Sequence, residues 1–464
     1  MNLKRKLWWA QHRTDVYKYG TILSLVLIVT ISIIYFTYSK FTSTSEGLVM
    51  ETTVEPFIKN DYFIASYIDG EWSNEIPGKD DGYVVDKIVC DNGATGTWDN
   101  DEWGINIRNA TKKIKCSVFF IIPPVPIVEK ITTLATTDTT NFATDDADNN
   151  IRYIGANPNN YVYFNCSDYS NQSDSTCEKW RIIGVFKNVT KSDGSKEDLV
   201  KIVKDDSLGN ISWDYKKNGV GTSTTDYGSN DWTDSQLMMM LNPTDYLKSG
   251  YTIDNNIVKD SNGQAIYQNM GSYYNGTSGC QPAEIASGAD FTCTSIDFTS
   301  TGLKNDSTRN AIESVVWNLG GLRYPRNITS TFYSAERGTT VYSGHATTWT
   351  GKVGLMYPSD YGYATSGGST TDRATCLAKE LYNWNGLSDC YNNDYLFKLY
   401  SQWTLTPGLF DSQDVFDVRS DGRVSTNSAN YTDWVRPVAF LKSNILLSGV
   451  GDGSSSSPYN LKIN

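Results

Sequence analysis

The sequence predicts three structural parts. These are a transmembrane helix near the N-terminus, a small all-β, sandwich-like domain, and a larger α+β domain running to the C-terminus. Three observations carry this. Residues 20–38 form an uncharged stretch of 19 residues. Residues 61–122 alternate short β-type runs with Gly-, Asp- and Asn-containing turn signals. The remainder mixes such runs with two segments of helical periodicity. At 464 residues the chain exceeds one ordinary domain, and 39% hydrophobic content is enough for real cores.

The first element is GTILSLVLIVTISIIYFTY. As a helix it spans roughly 28 Å, close to a hydrocarbon core of about 30 Å. Lys4, Arg5, Lys6, Arg13 and Lys18 precede it against Asp15 alone, so residues 1–18 are expected in the cytoplasm and everything after the helix outside. A cleaved signal peptide would be shorter and end in small residues, whereas this stretch ends in Ile33, Ile34, Tyr35 and Phe36. A prepilin would need Phe or Met after the cleavage-site Gly and Glu five positions on, where Thr21 and Leu25 stand after Gly20. A buried core helix would not be apolar on every face between basic flanks. The expectation is therefore an uncleaved membrane anchor at the cell membrane.

The whole chain carries a formal charge of −12, which excludes duplex nucleic acid as an expected partner, because phosphate binding needs a basic face. All eight cysteines lie in the exterior part, as four close pairs: Cys90 and Cys116, Cys166 and Cys177, Cys280 and Cys293, Cys376 and Cys390. Neighbour pairing is the least demanding of the possible disulfide schemes in an oxidising compartment. A zinc site would need CxxC knuckles or Cys/His clusters, and His345 is the single exterior histidine.

After a spacer at 39–60, runs at 61–67, 82–89, 103–107 and 114–122 read as strands of the small domain, with Cys90 and Cys116 stapling two of them. Pro123-Pro124-Val125-Pro126 is a stiff break, and 123–149 reads as a linker with room for one short helix. The larger domain is expected from 150 to 464. Its strand candidates are 152–154, 161–165, 179–186, 199–204 and 352–357, then 402–405, 415–419, 423–426 and 434–442. Arg419-Ser420-Asp421-Gly422-Arg423 reads as a hairpin turn with Gly422 at positive φ. Thr233 to Gln236 forms a capping box for a helix through Leu237, Met240 and Leu241, stopped by Pro243. Asp306 or Ser307 caps a second, with Ile312, Val315, Val316 and Leu319 at helical spacing and Gly320-Gly321 ending it.

Several stretches of the larger part resemble an uncharacterised, domain-of-unknown-function family among Gram-positive surface proteins with N-terminal anchors. They are IRYIGANPNNYVYFN at 151–165, WRIIGVF at 180–186, NDWTDSQLMMMLN at 230–242, WTGKVGLMYPSDYGYA at 349–364, and WVRPVAFLKSN with GDGSSSSPY in the tail. The stretch SYIDG to NATKKIKC at 66–116 resembles a module that precedes it in such proteins. The resemblance implies a bacterial surface location and no particular activity. More distantly, the WRIIGV and VRPV strands are similar to the ends of C-type-lectin-like and formylglycine-generating-enzyme-like domains. This implies a lectin-like fold only. The catalytic Cys pair of the latter enzymes has no counterpart after Cys390.

No zincin, nucleophile-elbow, P-loop or dinucleotide motif occurs. A lone His345 is more simply a surface residue than a catalyst. Paired carboxylates for glycoside hydrolysis depend on spatial separation, which the sequence does not rank. Asp146-Ala147-Asp148-Asn149-Asn150 begins like a calcium loop, with Asp146, Asp148 and Asn150 as oxygen ligands, but Ile151 and Asn157 stand where Gly and Glu belong. The plainer reading is a polar loop capping a strand. The chain holds 30 Tyr and 13 Trp. Trp349, Tyr357, Tyr361 and Tyr363, with Asp360 to accept sugar hydroxyls and Trp384 joining from further on, are the expected lining of a surface for a glycan or protein ligand. The competing reading places these rings in the core. No cofactor is expected apart from calcium. The function expected is non-enzymatic recognition or adhesion outside the membrane. The rivals are an exterior hydrolase of wall or glycan polymers and a spacer without ligand.

Overall fold

The computed structural model describes residues 62–110, 113–214, 227–242, 303 and 305–463, with five short strands between 252 and 297. The expected membrane anchor at 20–38 lies outside the described residues. Among the described residues no helix is long and apolar enough to cross a membrane. The chain divides into two compact units, Met1–Pro123 and Pro124–Asn464.

In the first unit β1 (Tyr62–Ile68), β2 (Glu71–Ser73), β3 (Val84–Cys90) and β6 (Ile114–Ile121) form a sheet in the order β2-β1-β6-β3, and β4 (Thr95–Asp99) and β5 (Gly104–Arg108) form a hairpin. Alternation along β6 turns Ile114, Cys116, Val118 and Phe120 inward, where Ala94, Ile105 and Ile107 meet them. Trp98 lies edge-on to Phe120 at 5.1 Å and to Trp103 at 5.3 Å. Cys90 faces Cys116 across the β3–β6 ladder and is bonded to it. In so small a core this staple is a sizeable share of the stability.

The second unit opens with β7 (Val125–Pro126) and α1 (Ile127–Thr137). Ile127 and Ile131 are wholly buried in its main core, so this part of the expected linker belongs to the unit. Next come β8 (Phe142–Ala143), β9 (Ile151–Tyr153), β10 (Tyr161–Phe164), β11 (Glu178–Thr190), β12 (Lys196–Lys204) and β13 (Asn210–Ser212). After α2 (Gln236–Leu241) stand five short strands, β14 (Thr252–Asp254), β15 (Ile257–Lys259), β16 (Ala265–Gln268), β17 (Ser278–Cys280) and β18 (Ser295–Asp297). Then follow α3 (Asp306–Ala311), β19 (Val315–Asn318), α4 (Thr329–Glu336), β20 (Thr348–Gly351), β21 (Val353–Gly354), α5 (Pro358–Ala364), α6 (Arg373–Leu377) and α7 (Ser388–Asn392). The chain ends in β22 (Gln402–Pro407), β23 (Asp414–Val418), β24 (Val424–Ser428), β25 (Thr432–Trp434), β26 (Val438–Leu441), β27 (Leu446–Leu447) and β28 (Leu461–Lys462).

A sheet ordered β21-β26-β12-β11-β9-β8, with β10 also on β11, and a second ordered β13-β25-β22-β23-β24 organise this unit. In β11 every residue from Trp180 to Phe186 is buried, Arg181 among otherwise apolar residues, as in a strand covered on both faces. At Gly184 a Cβ would meet the Ile151 carbonyl oxygen at 2.0 Å, so only glycine lets β9 approach at this bulge.

The fold class thus needs correction. The described chain is mostly β-sheet, with few and short helices, none long and apolar enough to cross a membrane, which replaces the α+β assignment. The helix expected through Leu319 ends at Ala311, because Val315–Asn318 pairs with β20 as a strand. Its cap is Asn305, whose side chain accepts from the Thr308 N–H at 2.9 Å. For α2 the cap is Ser235 rather than Thr233, because a separate 3₁₀ turn at Trp232–Asp234 occupies the preceding residues. The bonds Cys166–Cys177 and Cys376–Cys390 are formed as expected. The pair 280 and 293 falls outside the described side chains.

Candidate functional site

The residues expected to line a surface are all buried. Tyr361 and Trp384 are wholly enclosed and lie 5.2 Å apart. Trp349 sits in β20 edge-on to Trp232, and Tyr363 edge-on to Tyr333. Tyr357 precedes α5 and donates through its hydroxyl to the Asn318 carbonyl. Gly362 gives no ligand access to the backbone, because Thr329 of α4 fills the space beside it. The Pro-Ser-Asp sequence starts a helix, Pro358 at its first position and Asp360 accepting from the Tyr357 N–H at 3.0 Å.

The calcium reading of Asp146 meets donors from the protein itself. Its carboxylate accepts from the Asp148 and Asn150 N–H groups, from Asn150 Nδ2, and from Arg152 Nε at 2.6 Å. Asp148 accepts from the Tyr333 hydroxyl at 2.6 Å, and Tyr333 in turn accepts from Asn150 Nδ2. The loop therefore positions Arg152 and Tyr333, and a cation would have to displace Arg152 to reach Asp146.

Arg152 brings together what the sequence holds far apart. Its Nη1 donates to Asp360 Oδ1 at 3.0 Å, and Lys201 of β12 donates to Asp360 Oδ2. All three side chains are 1% exposed or less. Burial alone would raise the Asp360 carboxyl, but the Lys201 ammonium and the Arg152 guanidinium outweigh it and hold it down at about 2. Burial lowers Lys201 to about 8 against the pull of Asp360. A pocket of about 210 Å³ opens above Lys201, walled by Phe186, Trp317, Tyr357 and Phe440 and edged by Lys187, Tyr333 and Arg337. Glu336, wholly buried next to Arg337 in sequence, accepts from the Ser359 N–H and hydroxyl.

Burial pushes Glu336 up to about 7, against Arg337 and the Ser359 bonds. Folded Glu336 keeps its proton in the range where the unfolded chain, at the ordinary 4.5, has released it. Stability from this group therefore falls as pH rises from about 4.5 to 7, by roughly 3 kcal/mol at most. Urea unfolding of wild type and Glu336→Gln across pH 5 to 8 is expected to show a steeper decline in wild type. Equal slopes would contradict this.

A carboxyl pair lies in the second sheet. Burial first, then the like charge of Asp433, pushes Asp417 up to about 8 against Arg419. Asp417 is wholly buried in β23 and Asp433 nearly so in β25.

A different group of aromatics does face solvent. Tyr324 and Phe410 are 52% and 55% exposed, with ring centroids 6.1 Å apart. The exposed Arg323 guanidinium lies 5.4 Å from the Tyr324 ring and 5.7 Å from the Phe410 ring. The two loops are tied by the Leu409 N–H to the Leu322 carbonyl at 2.9 Å. Asn230 of the NDW stretch fixes the second loop, donating from Nδ2 to the carbonyls of Gly408, Asp411 and Asp414. Sequence reading missed this platform. Its one available signal was Arg-Tyr-Pro-Arg at 323–326, arginine and tyrosine held in a proline loop. Trp434, 38% exposed, lies against the half-buried Tyr400 at 4.8 Å, a second aromatic pair reaching the surface.

No family model, no curated protein and no solved structure matches this chain.

Proposed function

We propose that the chain is a non-enzymatic recognition protein of the outer membrane face, which binds a glycan through Arg323, Tyr324 and Phe410. The observation that carries this is the exposed aromatic pair with a guanidinium beside it, held on tied loops. Aromatic faces stack on the C–H faces of sugar rings, and a planar guanidinium donates to hydroxyls or carboxylates. Loops fixed before binding lose little freedom on binding. The three described disulfides favour an oxidising compartment. The uncharged stretch 20–38 with its basic flank favours attachment to the membrane. A hydrolase reading is less favoured, because the Asp417–Asp433 pair is closed to substrate.

Full-length protein in detergent is tested against immobilised cell-wall polysaccharide fragments. Tyr324→Ala and Phe410→Ala are each expected to weaken binding about tenfold or more, as for an aromatic contact at a binding centre. Their melting temperatures should stay within about 2 °C of wild type, since both rings are half exposed. Unchanged binding by the double variant overturns the proposal. Loss in Trp434→Ala instead moves the recognition surface to the other aromatic pair.

A further inference from the structure

We infer that Lys201 and Asp360 form an intramolecular amide, a covalent link between the central strand β12 and helix α5. The two side chains are hydrogen-bonded, fully buried and 159 positions apart in sequence. Four aromatic rings enclose the ammonium, with Tyr357 at 4.5 Å, Phe186 at 5.0 Å, and Trp317 and Phe440 each at 5.6 Å. Burial in this shell disfavours the ammonium, which brings the neutral Lys201 amine, the nucleophile, within reach beside Asp360.

The atoms balance without another reactant. A proton passes from Lys201 Nζ to Asp360 Oδ2 along the existing hydrogen bond. The Nζ lone pair then attacks Cγ, and the developing negative charge collects on Oδ1. Arg152 Nη1 already donates to that oxygen at 3.0 Å, and Asp146 balances the Arg152 charge from its other edge. A second proton moves from Nζ to Oδ2, the Cγ–Oδ2 bond breaks, and water leaves. Oδ1 becomes the amide oxygen and keeps its bond from Arg152.

Two features favour the product. An ammonium and a carboxylate in fixed contact have a very high effective concentration. Amide formation also removes two buried charges, each costly to keep from water, and leaves Arg152 and Asp146 as a neutral pair. For an exterior protein the result is a link that reductants do not open.

Mass spectrometry of the wild-type full chain tests this without perturbing the fold. After the disulfides are reduced, the intact mass is expected to be one water below that of the sequence. A protease digest should contain a branched peptide joining the Lys201 and Asp360 segments. Lys201→Arg keeps a cation opposite Asp360 but should show the full sequence mass. A wild-type chain of full mass with separate, unlinked peptides overturns the inference, as does an equal mass deficit in Lys201→Arg.

Discussion

Arg152→Met is expected to lower the melting temperature of the larger unit by on the order of 10 °C. Arg152 is the cation of Asp146, wholly buried and bonded to it at 2.6 Å. It also stacks over Phe186 at 4.6 Å and Tyr363 at 5.0 Å. Met fills much of the volume but leaves Asp146 buried without a counter-ion, whatever the state of Asp360. Removing one partner of a buried ion pair costs about 3–5 kcal/mol, and each kcal/mol moves the melting temperature of a large domain by roughly 2–4 °C. Calorimetry of Arg152→Met beside Arg152→Met/Asp146→Asn separates charge from packing. The double variant should recover part of the loss, since its remaining group is neutral. A single-variant shift below about 2 °C would mean that Asp146 finds another partner or water.

Arg152, Lys201 and Asp360 also mark the limit of what the sequence shows. Strands that stand on period and run length were readable. WRIIGVF is an apolar run broken only by Arg181, and β6 alternates cleanly between faces. Three of the cysteine pairs were readable because short spacing makes neighbour pairing geometrically easy. Ile312, Val315, Val316 and Leu319 fall at helical spacing, but pairing of Val315–Asn318 with β20, some thirty residues on, overrides that local signal. The ion cluster draws on β9, β12 and α5, so no local spacing points to it. Whether a tyrosine is a platform or a core residue is likewise decided by partners distant in sequence. Tyr357 and Tyr361 lie beneath other elements, while Tyr324 stands at a loop end. The expected calcium loop was a sound reading of oxygen donors at alternate positions. It could not reveal that Arg152, only six residues after Asp146, would take the ligand place.

Tyr361→Ala is the variant that divides a binding role from a structural one, and the expected result is structural. The ring is wholly buried, lies against Trp384, and its hydroxyl donates to the Gly422 carbonyl at 2.7 Å. Gly422 sits at φ +88° in the turn between β23 and β24, where a side chain would also collide with Tyr391. Tyr361 thus pins that hairpin to α5. Truncation opens a cavity next to Trp384 and leaves the Gly422 carbonyl without its donor. Large aromatic-to-alanine changes in cores cost about 3–5 kcal/mol. Tyr361→Phe removes the hydrogen bond alone and is expected to cost about 1 kcal/mol. The ordering wild type, Phe, Ala in denaturant midpoint is the test, with platform binding measured on each folded sample. An alanine variant with wild-type stability and lost glycan binding would make Tyr361 a recognition residue after all.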